Sequence, residues 1–233
     1  MDQLYPGTAF SMVKVLEKAG CKVSYNTNQT CCGQPAYNAG FWGEAKEVCT
    51  KFINDFRGND YIVAPSASCA GFVKNYYHKL FENSSLHHDV KKLSEQVYEF
   101  SSFMVQVLKV EDVGAVLNGK ATYHDSCAAL RECHIKQEPR ILLSNVRDLQ
   151  LLEMDDVETC CGFGGTFAVR HPTISAAMVA DKTRAIKACG APNLVSADCG
   201  CLMNINGALQ KQGERLQGEH IASFVWRRIG GEA

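Results

Sequence analysis

Apolar positions along the chain change spacing in a fixed order, and that order occurs twice. Pro6 opens a stretch in which Phe10, Val13, Leu16 and Ala19 recur at helical spacing. Proline suits a first helical position because the N–H it lacks would be unpaired there anyway. The run 21–25 reads as a β-strand, 37–57 as a helix, and the apolar run 61–64 as a short buried strand. In the second half Pro139 opens a helix carrying Ile141, Leu142 and Val146, and 149–154 reads as a strand. A helix is predicted over 173–189, with Ile174, Ala177, Met178, Ala185 and Ala188 on one face. Another short strand follows over 193–196.

Between the halves, 83–95 is polar and includes Asn83, Ser84, Ser85, His87 and His88, which reads as a linker with solvated histidines. A helix near 94–108 and the segment 114–120 lead to a strand over 121–127. That strand has no counterpart before Pro6, so the first half is expected to lack its opening strand. The expected division is a first domain over 1–82, a linker and connecting helix over 83–119, and a second domain over 120–233. Strands alternating with helices predict an α/β fold: two pseudo-repeated, Rossmann-like parallel sheets with helices on both faces.

Cysteines change the picture from architecture to chemistry. Cys31-Cys32-Gly33 returns as Cys160-Cys161-Gly162, and each pair is followed at long range by a further cysteine, Cys69 and Cys201. Packing has little use for two adjacent sulfurs pointing in different directions, whereas a metal or a cluster does. In the second half, Cys127, Cys160, Cys161 and Cys201 all fall at predicted strand ends on one sheet edge, where ligands sit in parallel sheets. Four thiolates at one spot suit an iron–sulfur cluster or zinc. Gly162, Gly164 and Gly165 let backbone N–H groups approach such an anionic site. The same glycines also fit a plain turn, and the spacing of a nucleotide-binding loop is absent. A disulfide between neighbours Cys160 and Cys161 would be strained. The first half offers Cys31, Cys32 and Cys69. Cys21, Cys49 and Cys189 read as small buried hydrophobes. Cys133 is placed where it can approach the second site, and Cys199 competes with Cys201 as a ligand.

Composition narrows the setting. The chain has 233 residues, 46% hydrophobic, with net charge −1 and twelve cysteines. It lacks the basic footprint of a nucleic-acid binder. No apolar run approaches the roughly 20 residues of a transmembrane helix. No charged-then-apolar leader pattern is visible, so a reducing cytoplasmic setting with metal ligation is expected in preference to disulfides. No nucleophilic triad, carboxylate pair or phosphate loop stands out. His124-Asp125 and Arg170-His171 can either handle a proton or an anionic substrate, or orient and tune a metal site, and the second role is favoured.

These segments resemble the cysteine-rich, or CCG, domain proteins of iron–sulfur systems. The resemblance is carried by 2–6, 29–38, 65–69, His124-Asp-Ser-Cys127, 160–167 and 201–204. That family includes the cysteine-rich subunit of heterodisulfide reductase and the iron–sulfur subunits of glycolate oxidation, and the chain is most similar to a short branch concerned with lactate utilization. The resemblance implies an iron–sulfur electron-transfer subunit, an oxidoreductase component that carries electrons as L-lactate becomes pyruvate. It implies two partners, a ferredoxin-type iron–sulfur subunit and a third small subunit. It also implies a strand and a cysteine just upstream of 2–6. The family pattern has Cys-x-x-Cys where this chain has Ser66-x-x-Cys69 and Asp198-x-x-Cys201. A five-thiolate cluster therefore does not transfer. The expectation is a [4Fe–4S] cluster on Cys127, Cys160, Cys161 and Cys201, with Cys31, Cys32 and Cys69 forming a set one thiolate short. Zinc is an adventitious occupant, and a zinc-binding scaffold or heterodisulfide-type thiol chemistry are the alternatives.

Overall fold

The structure, a computed structural model, describes residues 4–231. The first half runs α1 (Pro6–Lys18), α2 (Gln34–Asn38), α3 (Trp42–Phe56), β1 (Ile62–Ala64), α4 (Ala67–Leu80), α5 (His87–Gln96), β2 (Val97–Glu99) and α6 (Phe100–Ser102), which continues as a π-helical turn over Phe103–Val107. The second runs β3 (Val116–His124), α7 (Cys127–Glu132), α8 (Gln137–Ser144), β4 (Arg147–Leu152), α9 (Phe167–Arg170), α10 (Pro172–Cys189), β5 (Asn193–Ser196), α11 (Cys199–Lys211), β6 (Gly218–His220) and α12 (Ile221–Arg228).

Two parallel sheets result, as the alternating pattern predicts. β1 pairs with β2, and the larger sheet has the order β4-β3-β5-β6. Neighbouring residues on β5 face opposite ways: Leu194 joins Ile186, Ile205 and Leu209, while Val195 joins Tyr123, Ile221 and Phe224. This is the period-2 alternation of a strand buried on both faces, here covered by α10 and α11 on one side and α12 on the other. The first half has its own core around Ile53, Phe72, Tyr77 and Phe81.

Several elements differ from their sequence expectation. The run 21–25 is not a strand. Its counterpart β4 pairs only with β3, and no strand corresponding to β3 stands beside 21–25 among the described residues. The stretch 83–119 is not merely a linker and helix. It holds α5, with Val90 and Leu93 buried, and β2, which completes the first sheet. His87 and His88 are exposed as expected, but they open α5. On α1, Leu16 is buried but Phe10 is exposed, and the covered face runs through Thr8, Ser11 and Val15 against α12. On α10 the expected face is wrong. Ser175, Val179, Lys182, Thr183 and Ile186 are buried, while Ile174 is 55% exposed. The reason is specific contact: Ser175 lies against the turn at Gly162, Lys182 donates to two carbonyls, and the Thr183 hydroxyl accepts from Gln212.

The halves are interlocked. Helix α4 crosses α7 so closely that a Cβ on Gly71 would lie 2.5 Å from Glu132 Cβ. At that crossing Asn75 Nδ2 donates to the Glu132 carbonyl and Tyr76 Oη to its carboxylate.

Candidate metal centre

Three connections of the larger sheet converge on one edge. β3 ends at His124 and leads to Cys127, the first residue of α7. The connection after β4 reaches Cys160 and Cys161, and β5 leads to Cys201 in the first turn of α11. Because β3 sits between β4 and β5, residues far apart in sequence arrive side by side. Cys127 Sγ and Cys160 Sγ lie 3.8 Å apart. Cys160 is within hydrogen-bonding reach of Cys161, and Cys161 of Cys201. The ligand atoms of His124, Cys161 and Cys201 all lie within 4.8 Å of one another. The four thiols expected together are together.

The turn that carries the pair requires glycine. Gly162 has φ +82°, and a Cβ there would lie 2.8 Å from the Ser175 carbonyl oxygen on α10. Without a side chain, its N–H approaches Cys160 Sγ at 3.4 Å. Gly33 repeats this device, with φ +91° and Cys49 Sγ at 2.9 Å from the added Cβ.

Packing four thiols together polarises them. Donation from Cys127 and Cys161, with help from the Gly162 N–H, holds Cys160 far below the usual thiol range. The bond it gives Cys160, and then burial, pushes Cys127 up, and Cys161 is pushed up by its bonds to Cys160 and Cys201. The packing of the thiols thus favours ionisation at Cys160 and opposes it at Cys127 and Cys161. A bound cation removes that opposition, since metal ligation needs thiolates. The N-terminal ends of α7 and α11 add favourable dipoles for the same charge.

Lys182 is a participant that hydrophobic periodicity hides, because it sits on a helix face otherwise read as solvated. It is 1% exposed, and Nζ donates to the carbonyls of Asp156 and Val157 at 2.8 and 3.2 Å. Burial pulls its pKa down, opposed by the nearby Cys161 and Asp125. His124 is fully buried, and neither ring nitrogen has a hydrogen-bond partner. Burial and then the Lys182 charge push it down to about 3, so the ring is neutral.

Asp125 does not face a substrate. Both its oxygens accept from Arg140, at 2.9 and 2.7 Å, and Arg140 also donates to Glu153. Arg170 and His171 lie at the exposed junction of α9 and α10. Cys133 turns away from the second site: its thiol donates to the Ala67 carbonyl at 3.4 Å, at the start of α4. Cys199 turns toward Thr8 on α1 and so does not compete with Cys201. Cys49 is fully buried, as expected of a core residue, whereas Cys21 and Cys189 are half-buried. All twelve cysteines are free thiols.

The first half repeats the arrangement with fewer donors. Cys31 is exposed, Cys32 is buried, and Cys32 is within hydrogen-bonding reach of both Cys31 and Cys69. The Cys32 carbonyl is held by Tyr77 Oη at 2.7 Å and by Cys49 Sγ at 3.5 Å. The bond to Cys32 and burial push Cys31 up.

Both positions that depart from the family's Cys-x-x-Cys pattern are occupied with each other. Ser66 Oγ donates to Asp198 Oδ2 at 2.6 Å. Asp198 Oδ1 caps α11 by accepting from the N–H groups of Gly200 and Cys201. The donor set that remains is four sulfurs and an unpartnered imidazole, a combination suited to iron–sulfur or zinc and poorly suited to hard cations.

This fold and thiol arrangement define a class. The family model described as "Cysteine-rich domain" matches residues 1–74 and 121–206, and the chain belongs to that family of CCG proteins. Its similarity to individual proteins extends over nearly the whole length. It is 45% identical over 225 residues to lactate utilization protein A of Geobacillus sp. (strain WCH70), covering 97% of this chain and 94% of that protein. It is 43% identical over 224 residues to the protein of that name from Shouchella clausii (strain KSM-K16), with 96% and 94% covered. It is 41% identical over 225 residues to the one from Bacillus subtilis (strain 168), with 97% and 94% covered.

Proposed function

We propose that the chain serves lactate utilization as an iron–sulfur electron-transfer subunit of a multi-protein L-lactate oxidation system. The observation that carries this is the convergence of Cys127, Cys160, Cys161 and Cys201 on one sheet edge. These four residues would hold a [4Fe–4S] cluster, which supplies one-electron transfer when bound. The relatives' name supports the metabolic assignment. The protein's own part is to gather the thiols, lend them the helix dipoles of α7 and α11, and place the Lys182 ammonium beside the anionic site.

Cys31, Cys32 and Cys69 would hold a second, thiolate-poor centre. Substrate oxidation itself falls to partners, a ferredoxin-type iron–sulfur subunit and a third small subunit, because neither acid–base group beside the thiols is free to act on a substrate. Asp125 is engaged by Arg140, and His124 is enclosed. Cys160 borders an open groove of about 830 Å³, lined also by Arg131, Asp155, Asp156 and Met178, through which a partner can approach. The setting is the cytoplasm; among the described residues no helix is long and apolar enough to cross a membrane.

A second reading, a zinc-binding scaffold, is favoured by the His124, Cys161 and Cys201 set, whose donor types are those of structural zinc sites. Anaerobic purification separates the two. Brown protein that absorbs broadly near 400 nm and bleaches with dithionite, and that reduces a dye with lactate once its partners co-purify, supports the electron-transfer reading. Colourless protein with stoichiometric zinc overturns it.

A further inference from the structure

We infer that His124 is a ligand of the second centre, and that the centre's donor set is four cysteines and one histidine. The inference rests on the metal-centre reading above and extends it to a residue that the cysteine pattern does not include.

Three observations converge. First, His124 is at 0% exposure and both its ring nitrogens lack a hydrogen-bond partner. A buried polar side chain left unpaired forfeits its hydration with nothing in return, so such a residue needs a reason. Of the polar side chains around it, Asp125 has Arg140, Ser126 caps α7 through Ala129 N–H and Ser196 Oγ donates to the His124 carbonyl, while the Thr122 and Tyr123 hydroxyls share its lack of a partner but are not metal ligands of the soft kind. Second, its ligand nitrogen and the Cys161 and Cys201 sulfurs lie mutually within 4.8 Å. Metal–nitrogen and metal–sulfur bonds of about 2.0 and 2.3 Å span at most about 4.3 Å between nitrogen and sulfur, so a small inward shift of these side chains brings one ion within reach of all three. Third, the position where a further cysteine would stand carries Asp198, and that carboxylate is turned away. Its oxygens are taken by Ser66 and by the N–H groups of Ser68, Gly200 and Cys201. No carboxylate reaches the centre on that side, and the imidazole is an uncommitted donor within reach, available to a metal ion that already carries a cysteine. The neutral ring binds through a nitrogen lone pair, so no proton is displaced.

Nitrogen ligation is read directly by spectroscopy. The full-length protein, purified anaerobically and reduced with dithionite, is measured by pulsed EPR in a Cys31→Ser/Cys32→Ser background, which confines the signal to the second centre. The expected result is a strong nitrogen coupling that changes with ¹⁵N-histidine labelling and disappears in His124→Cys, with iron per chain retained and the midpoint potential lowered by the added anionic thiolate. Iron present at the second centre without such a coupling overturns the inference and leaves the electron-transfer reading standing. A colourless zinc protein overturns that reading, and the inference is then judged by X-ray absorption: a nitrogen neighbour at about 2.0–2.1 Å, lost in His124→Cys, supports it, and an all-sulfur shell overturns it. Retained circular dichroism in His124→Cys is required. If that variant does not fold, histidine labelling of the parent decides alone.

Discussion

Ser66 Oγ and Asp198 Oδ2, which occupy equivalent positions in the two halves, are 2.6 Å apart and hydrogen-bonded to each other. Each precedes the helix that carries its half's distal cysteine, α4 for Cys69 and α11 for Cys201. One carboxylate therefore serves two helix starts, since Oδ1 accepts from Gly200 and Cys201 while Oδ2 accepts from Ser66 and from Ser68 N–H. Asp198→Ala should lower unfolding free energy by about 1–3 kcal/mol through lost capping and buried unpaired donors. Urea unfolding of Ser66→Ala, Asp198→Ala and the double variant should show a coupling of roughly 0.5–3 kcal/mol. Iron per chain should hold in Asp198→Asn, because this residue spends its oxygens on backbone and Ser66.

Sorting ligand from core cysteines is tested by serine substitution. Cys160→Ser or Cys161→Ser should remove most second-centre iron, because a hard hydroxyl oxygen exchanges poorly for thiolate at a soft metal. Cys189→Ser should keep it, since the Cys189 thiol points to the Leu152 carbonyl. Iron assays on anaerobically prepared protein check both, and equal loss would undo the assignment.

Stability should depend on pH through buried groups of opposite sign, Glu99 on one side and the histidines His220 and His124 on the other. Burial raises Glu99 to about 7 from 4.5, although Ser101 and Ser102 donate to its carboxylate. The folded state therefore holds this proton more tightly, and the contribution is full below about pH 4.5 and lost as pH rises through 7, about 3 kcal/mol in all. His220 is pushed down to about 4 by burial. Its Nε2–H donates to the Pro65 carbonyl and its Nδ1 accepts from Ala222 N–H, which requires the neutral ring. That contribution is full above about pH 6.5 and is lost as pH falls through 4. The two slopes offset each other between pH 4.5 and 6.5. Denaturant titrations of Glu99→Gln should expose the combined slope of the buried histidines His220 and His124, with stability rising with pH across that window and the fall toward pH 7 gone.

Lys182 should act on the centre through charge. Replacing it with Met removes the ammonium beside the thiols and leaves the Asp156 and Val157 carbonyls without its donated bonds. The expected outcome is a more negative midpoint potential in redox titration, together with a stability loss of about 1–3 kcal/mol.

How far the sequence reaches can be seen in particular elements. The strand 193–196 and the helix start at Pro6 are legible, because burial on both faces and proline at a first turn are local signals. The repeated Cys-Cys-Gly is legible because vicinal thiols have no packing purpose. The α10 face is not, because its buried side includes Ser175, Lys182 and Thr183, whose burial depends on distant carbonyls and amides. The run 21–25 misleads because a strand exists only with a partner, and pairing is not encoded in the run itself.

The sequence by itself determined the α/β order, the two thiol-bearing halves and the four cysteines of the second site, since these follow from periodicity and from the chemistry of residue types. Only the tertiary structure decided that Ser66 and Asp198 answer each other, that Cys133 and Cys199 turn away, and that His124 and Lys182 stand at the thiols. Those outcomes depend on side-chain direction at a meeting of chain segments remote in sequence, and such direction is set by the packing of α4, α7, α10 and α11 rather than by spacing along any one of them.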